Sequence, residues 1–554
     1  MSEQPVTVTI PYMEHYAFSK QYELFHQCIV KLFEHVLKTG GLEQKFMAMD
    51  DIADSQASGT LARGGLAPLH ETMPQSKKEF WYHRFATAIT AYLADPTYTH
   101  TRQQLTYINL FKPHLQDAFF VSQYGSMDHI LWHRGLVDKD NTLIIKNNLD
   151  TQYILACHTL YSAIEVDYHK LVQTLPYLAL ESYIGLLTNF QHPFDDHARA
   201  NFANIFNQHT VMASHPDPKT SHVARIVPGW MNCSYWDTSK RHDYKRSANK
   251  MISTWLDNTL SKNTKKRATK NAERRPGEFK RVVIASEKYR TSHAVYRCYH
   301  TRIAALKEKY YTILVTNEND YDENSGQDFH EVLEVSKNLS EIEETVETIA
   351  ALGPDLILYP SLGMTPWTIA TCNLRLAPIQ LMSYGHPASA CTETIDFGVI
   401  GGIEGVEYQR FLNETLTPHR LKTRPHTPHP DFSSDMKWRP PNDGIVRIAI
   451  NSALMKISLR VINLCSLLEQ YSSNSLEFHF FSAAQTGAKH TAFIKSLSSR
   501  LDSDFVVHRE KPYRDYMDAL SKCDLALGTF PFGGSNTNVD TLLLGIPKII
   551  YTEG

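Results

Sequence analysis

Along the first 245 residues, apolar positions recur at helical spacing and strand-like alternation is rare. KQYELFHQCIVKLFEHVLKTG (20–40) stops at Gly40-Gly41, and EFWYHRFATAITAYLADP (79–96) closes at Pro96. DTQYILACHTLYSAIEVDYHKLVQTL (150–175) and ALESYIGLLTNF (179–190) continue the pattern. The spacing predicts an all-α region of stacked helices, and no 34-residue repeat is evident in it.

From Val282 the grammar changes. Short apolar runs (RVVIAS, YYTILVT, DLILYPS, IQLMSY, IDFGVI) alternate with amphipathic stretches such as HAVYRCYHTRIAALKEK and SEIEETVETIAALGP. The second stretch reads as a helix opened by a capping box, Ser340 with Glu343, and closed at Gly353-Pro354. A proline-rich break spans 417–444, after which alternation restarts with IVRIAI, LEFHFFS, DFVVH, DLALGTF and KIIY. Strand–helix alternation of this kind predicts parallel sheets covered by helices on both faces. The expected architecture is α/β with an N-terminal all-α domain: residues 1–260 helical, 261–440 and 441–554 two Rossmann-like domains facing a cleft. In such sheets ligands sit at the carboxyl ends of the strands.

Composition narrows the function classes. Hydrophobic residues make up 42% and charged residues 21%, with a formal net charge of −3, which argues against polyanion binding by the chain as a whole. Nine of twenty residues from Lys262 to Arg281 are basic, but aromatic residues are not interleaved before Phe279, so the stretch reads as a solvated linker or helix end. No nucleic-acid partner is expected. The eight cysteines show no C-x-x-C spacing, the N-terminus lacks a signal-peptide layout and no window reaches 18 apolar residues. A cytoplasmic protein without a membrane span is expected.

The chemistry gathers just past the expected strands. His293 follows RVVIAS, Gly385-His386 follow IQLMSY, Lys456 follows IVRIAI and Gln485 follows LEFHFFS. After DLALGTF comes FPFGGSNTNVD, with Phe532, Asn536, Thr537 and Asp540. Glycines let backbone N–H groups approach an anion, and the following helix adds its positive end, an arrangement suited to a diphosphate. Lys456 would add a mobile positive charge. Asp540 could accept ribose hydroxyls or merely complement the helix dipole, and Ser535 or Asn536 could be a simple N-cap. The stretch fits neither G-x-G-x-x-G nor the P-loop pattern. Asp320-Tyr321-Asp322 is a D-x-D tripeptide in an acidic loop, a pattern common by chance; no metal is expected.

Several fragments, in order and spacing, resemble the cytoplasmic bacterial N-glycosyltransferases that modify high-molecular-weight adhesins. They are members of glycosyltransferase family 41 with the O-GlcNAc transferases. The fragments are TSHAVYRCYHTRIAALKEKY, YPSLGM, YGHPAS, ALMKI, AAQTG, KPYRDYMDALSKCDLALGTFPFG and SNTNVD, so residues 275–554 carry most of the likeness. The resemblance implies an all-α domain before a GT-B fold. It implies Lys456, beside Met455, on the donor diphosphate, and Tyr513, Phe532, Asn536, Thr537 and Asp540 around the nucleotide, with Asp540 on the ribose. It places Gly385 and His386 in the cleft, His293 near the donor sugar or acceptor, and Gln485 near the transferred sugar. The activity implied is inverting, metal-independent transfer from UDP-glucose or UDP-galactose to Asn in Asn-X-Ser/Thr of proteins such as adhesins, without a cofactor. The alternatives are O-linked transfer to Ser/Thr and a noncatalytic docking homologue. Three departures stand out: Glu510 replaces an expected histidine, Ala453 and Leu454 replace threonines, and the sequence stops at YTEG, implying an incomplete C-terminal domain.

Overall fold

A computed structural model describes residues 8–39, 74–188, 193–274, 280–386, 388–401, 403–419, 426–482, 487–509 and 511–551. The chain divides into two compact units: residues 209–437 with 538–540, and residues 1–208 with 438–537 and 541–554.

The first of these units carries a seven-stranded parallel sheet. Its strands are β1 (Arg281–Ala285), β2 (Tyr311–Thr316), β3 (Glu331–Glu334), β4 (Leu356–Tyr359), β5 (Ile379–Ser383), β6 (Phe397–Gly401) and β7 (Thr415–His419). Their order is β3-β2-β1-β4-β5-β6-β7, the doubly wound arrangement in which the direction of winding reverses between β1 and β4. β1 is buried after its first residue, which is why it reads as a continuous apolar run. Val282, Ile284, Tyr289, Val295, Ile303, Leu314, Phe329 and Leu358 form one core on this sheet. β3 and β7 were not expected. EVLE is short and only half-buried, so it lacks an apolar run. β7 is an edge strand containing Pro418, and it occupies the start of the stretch read as a proline-rich break.

One local reading is corrected. Ser340 does not open a capping box. Asn338 Oδ1 accepts from Ser340 N at 3.1 Å and starts a 3₁₀ turn before the helix Ile342–Ala351. Glu343 turns instead to the basic stretch, accepting from Ser261 N at 3.0 Å and Thr264 Oγ1 at 2.7 Å. That stretch is the helix Lys262–Ala272.

The second unit carries a five-stranded parallel sheet: β8 (Ile445–Ile450), β9 (Ser475–Phe480), β10 (Asp504–Val507), β11 (Leu525–Leu527) and β12 (Lys548–Ile549). The order β10-β9-β8-β11-β12 reverses between β8 and β11. N-terminal helices pack on this unit's helix Ala488–Ser498. Lys495 Nζ donates to the carbonyls of Phe120 (2.9 Å) and Val121 (3.2 Å), and Gln75 Nε2 donates to Thr491 O (3.0 Å). The apolar run from 150 to 175 is two helices, Asn148–Cys157 and Tyr168–Thr174, rather than one. The α/β class with a helical N-terminal region is thus present, with both sheets parallel. Among the described residues, no helix is long and apolar enough to cross a membrane.

Candidate functional site

In the second sheet the loops after β8 and β11 leave the neighbouring strands at which the winding reverses. They are tied together. Ser452 Oγ lies 2.9 Å from Thr529 Oγ1, Thr529 Oγ1 donates to Phe532 O at 2.7 Å, and Ser458 Oγ donates to Phe530 O at 3.3 Å. The β8 loop forms a 3₁₀ turn, Leu454–Lys456, with Ala453 before it. Met455 and Lys456 are partly buried, whereas Leu454 is buried and donates its backbone N–H to Ser482 O at 2.9 Å. Leu454 therefore serves packing, which accounts for its apolar side chain. Lys456 Nζ sits 4.7 Å from the centroid of the Phe532 ring. Burial pulls its ammonium down to about 8.

The β11 loop feeds the helix Asn536–Leu544, which ends on left-handed Gly545. Ser535 makes no side-chain cap. Gly534 takes φ 101°, a conformation that favours glycine and shapes the turn, while a Cβ at Gly533 would come within 2.9 Å of the exposed Ile550 side chain. Asn451 Nδ2 donates to Thr537 O (3.3 Å) and to Tyr516 OH (2.8 Å), fixing the helix start against the β8 loop. Thr537 Oγ1 is buried and has no hydrogen-bond partner among the described residues. Tyr513 begins the helix Tyr513–Ser521, its ring 5.9 Å from that of Tyr516. Gln485 and Glu510 lie outside the described residues. Together these residues bring a partly buried cation to a helix start at which Ser535 makes no side-chain cap, beside a hydroxyl with no hydrogen-bond partner among the described residues.

The other unit holds the remaining candidates. His293 caps the helix Ala294–Leu306, its Nδ1 accepting from Val295 N at 3.3 Å. Burial and the Lys288 charge hold its imidazole down at about 4. A neutral ring with Nδ1 accepting carries its proton on Nε2, so His293 presents a donor at neutral pH. Gly385 is set by close approach, because a Cβ there would lie 2.6 Å from Pro360 O, the atom that accepts its own N–H at 3.0 Å. His386 is buried, with Nε2 3.0 Å from Ser234 Oγ and Nδ1 3.3 Å from Tyr235 OH. Both nitrogens are engaged, and the following loop is fastened by Lys245 Nζ to Ser389 O (2.8 Å) and by Asn249 Nδ2 to Ala390 O (2.8 Å). His386 is thus a fixed element of this loop.

Sequence reasoning missed one residue of this unit. Glu287, fully buried at the end of β1, accepts at Oε1 from Gly363 N (2.8 Å), Met364 N (2.7 Å), Thr365 N (3.1 Å) and Thr368 Oγ1 (2.5 Å). It thereby binds the loop after β4 to the end of β1. Burial pushes its carboxyl up against those hydrogen bonds. The D-x-D residues have structural work. Asp322 caps the helix Glu323–Gly326 and accepts from Thr291 N at 2.7 Å, and Asp320 pairs with Lys337 at 2.9 Å.

Two parallel sheets, each reversing its winding between neighbouring central strands, define a doubly wound α/β protein with a helical N-terminal region. Comparison with known proteins is more specific. Residues 8–164 match the family model described as HMW1C N-terminal. The chain is 25% identical over 500 residues to the UDP-glucose:protein N-beta-glucosyltransferases of Actinobacillus pleuropneumoniae serotypes 5b and 7, covering 87% of this chain and 78% of theirs. A solved Thermobaculum terrenum O-GlcNAc transferase mutant aligns with 14% identity and a TM-score of 0.47, covering 91% of this chain and 83% of that one. The resemblance read from the motifs is borne out.

Proposed function

We propose that this chain is a UDP-sugar-dependent protein glycosyltransferase of GT-B type that moves glucose or galactose to the side-chain amide of Asn in Asn-X-Ser/Thr, with inversion and without a metal. The observation that carries this reading is the grouping, at one winding reversal, of Lys456, Phe532, the helix start at Asn536 where Ser535 makes no side-chain cap, and the Thr537 hydroxyl, which has no hydrogen-bond partner among the described residues. The likeness to named UDP-glucose:protein N-beta-glucosyltransferases across most of the chain supports the donor and the N-linkage. Acceptors of adhesin type are part of the same proposal.

In the reaction, the amide nitrogen of the acceptor attacks the anomeric carbon from the face opposite UDP. The C–N bond forms, the bond from C1 to the phosphate oxygen breaks, and UDP departs with the electron pair. The amide then gives up one proton to solvent water. Charge grows on the diphosphate, and Lys456 with the helix N-terminus supplies fixed positive potential there. These groups can do the work otherwise given to a cation, while Asp320 and Asp322 are committed to the fold. His293, a donor through Nε2, hydrogen-bonds the sugar or acceptor and does not take the amide proton.

The test incubates the chain with UDP-glucose, UDP-galactose or UDP-GlcNAc and an Asn-X-Thr peptide, in EDTA and in magnesium, and reads the product by mass. Hexose addition that is equal in the two media supports the reading. Transfer confined to UDP-GlcNAc points to O-GlcNAc chemistry. UDP binding without transfer points to a noncatalytic homologue.

A further inference from the structure

A cavity of about 400 Å³ opens in the helical N-terminal region, lined by residues between 158 and 208 that all belong to one compact unit and to neither sheet. That volume is in the range of ligand pockets. Asn201, on the helix Asp196–Phe206, lines it and is 8% exposed. Its Nδ2 donates to Thr159 O at 3.2 Å and to Leu160 O at 3.0 Å, which fixes the orientation of the amide. Oδ1 accepts no hydrogen bond among the described residues yet is not occluded, so it opens on the cavity. His158 forms another wall, its Nδ1 3.0 Å from Tyr168 OH. Burial and the Lys112 charge hold its imidazole down at about 3, so this wall carries no positive charge. Gln208 braces the lining, accepting from Tyr168 N at 2.7 Å and donating to Val166 O at 2.9 Å. Glu165, Asp167 and Asn204 are exposed at the mouth. Asp167 caps the helix Tyr168–Thr174 and pairs with Lys170 at 3.4 Å, an exposed ion pair of little strength.

We infer that this cavity receives the guanidinium of an arginine presented by a polypeptide. The inference goes beyond the transfer reaction and does not depend on its donor. The polar lining is rich in acceptors: a fixed amide oxygen inside and two carboxylates at the mouth. A guanidinium has five N–H donors in a planar fork and accepts nothing, so it can meet the amide oxygen and a carboxylate together. Val166 and Ile205 supply apolar wall for the methylene stem. Because exposed residues frame the mouth, the side chain enters while its backbone stays outside. An anion would meet two carboxylates there, and a lysine would bring one point charge in place of the fork.

The test is a saturation-transfer NMR titration of the full chain with the capped peptide acetyl-Gly-Arg-Gly-amide. The same peptide with citrulline, which is neutral and of the same shape, the lysine peptide and free L-arginine are titrated beside it. The arginine peptide should bind about fivefold or more tighter than the citrulline peptide, and tighter than the lysine peptide or free arginine. Glu165→Gln with Asp167→Asn removes both charges and keeps a good helix cap, and should erase the preference for arginine over citrulline. Asn204→Trp, at an exposed helix position on the mouth, should abolish binding by filling the cavity. Equal binding of the arginine and citrulline peptides to the parent would overturn the inference. So would an unchanged preference in the charge variant, or parent-like binding by Asn204→Trp. A lysine peptide that binds as well as the arginine peptide overturns the guanidinium assignment, and free arginine binding more tightly than the peptide overturns the polypeptide source. If one variant does not fold, the other is read alone by the same criterion.

Discussion

Lys456 Nζ stands 4.7 Å from the centre of the Phe532 ring, so the cation of the β8 loop rests on the aromatic face of the β11 loop. A ring face attracts an ammonium most when water is excluded, and this contact holds a long, flexible side chain in place at the nucleotide turn. Lys456→Ala should lower kcat for UDP-sugar transfer by roughly 10²–10³ while leaving the circular dichroism spectrum unchanged. Phe532→Ala, which removes the platform and keeps the charge, should raise KM for the donor several-fold, an effect of about 1 kcal/mol. Steady-state kinetics with donor varied separates the two. Equal losses from both variants would contradict the division of roles.

The burial that pulls Lys456 down to about 8 makes its charge depend on pH. Its protonated form is the one that attracts diphosphate. kcat/KM should therefore hold below that value and fall as pH rises through it, reporting the free protein. Lys456→Arg keeps its charge throughout, so its profile should stay flat across the same window. A parent profile that is flat to about pH 9.5 would assign the diphosphate contact elsewhere.

Thr537 carries a buried hydroxyl with no hydrogen-bond partner among the described residues. Thr537→Val removes it at almost constant volume. Thermal unfolding should show a melting temperature equal to or above the parent's, while UDP binding weakens by about 1 kcal/mol, or roughly fivefold. If the melting temperature drops and UDP affinity is unchanged, the hydroxyl is structural.

Glu287 accepts three backbone N–H groups through one oxygen. Glu287→Ala leaves all three buried and unpaired and should destabilise the fold by about 3 kcal/mol or more in urea titration. Glu287→Gln keeps an oxygen acceptor and should cost clearly less. Equal losses would show that charge, rather than the acceptor, holds the loop after β4.

Much of this architecture was legible because parallel strands buried on both faces leave unbroken apolar runs. RVVIAS and IVRIAI land on β1 and β8 almost to the residue. EVLE and TLTPH were not legible, since a half-buried or edge strand needs no such run and Pro418 argues against one. The turn before the helix Asn536–Leu544 could be read locally, because its glycines and Asn-rich helix start each carry a signature. Glu287 could not. A lone glutamate after a strand has no distinguishing spacing, and its partners lie 76 to 81 residues away. Arg297 meets Asp540 across 243 residues, a relation that appears only once the chain has folded. Ser340 and Glu343 fit a capping pattern, yet Asn338 competes for the turn and Ser261 with Thr264 compete for the carboxylate.

The central claim is transfer of a hexose to an asparagine amide, and fragmentation mass spectrometry of the product tests it most directly. A peptide with one Asn-X-Thr site is incubated with UDP-glucose and either the parent chain or Lys456→Ala, and the modified residue is located by backbone cleavage that keeps the sugar attached. The account predicts a single hexose on the asparagine with the parent and little or none with the variant. A hexose on the threonine, or equal product from both proteins, would contradict it.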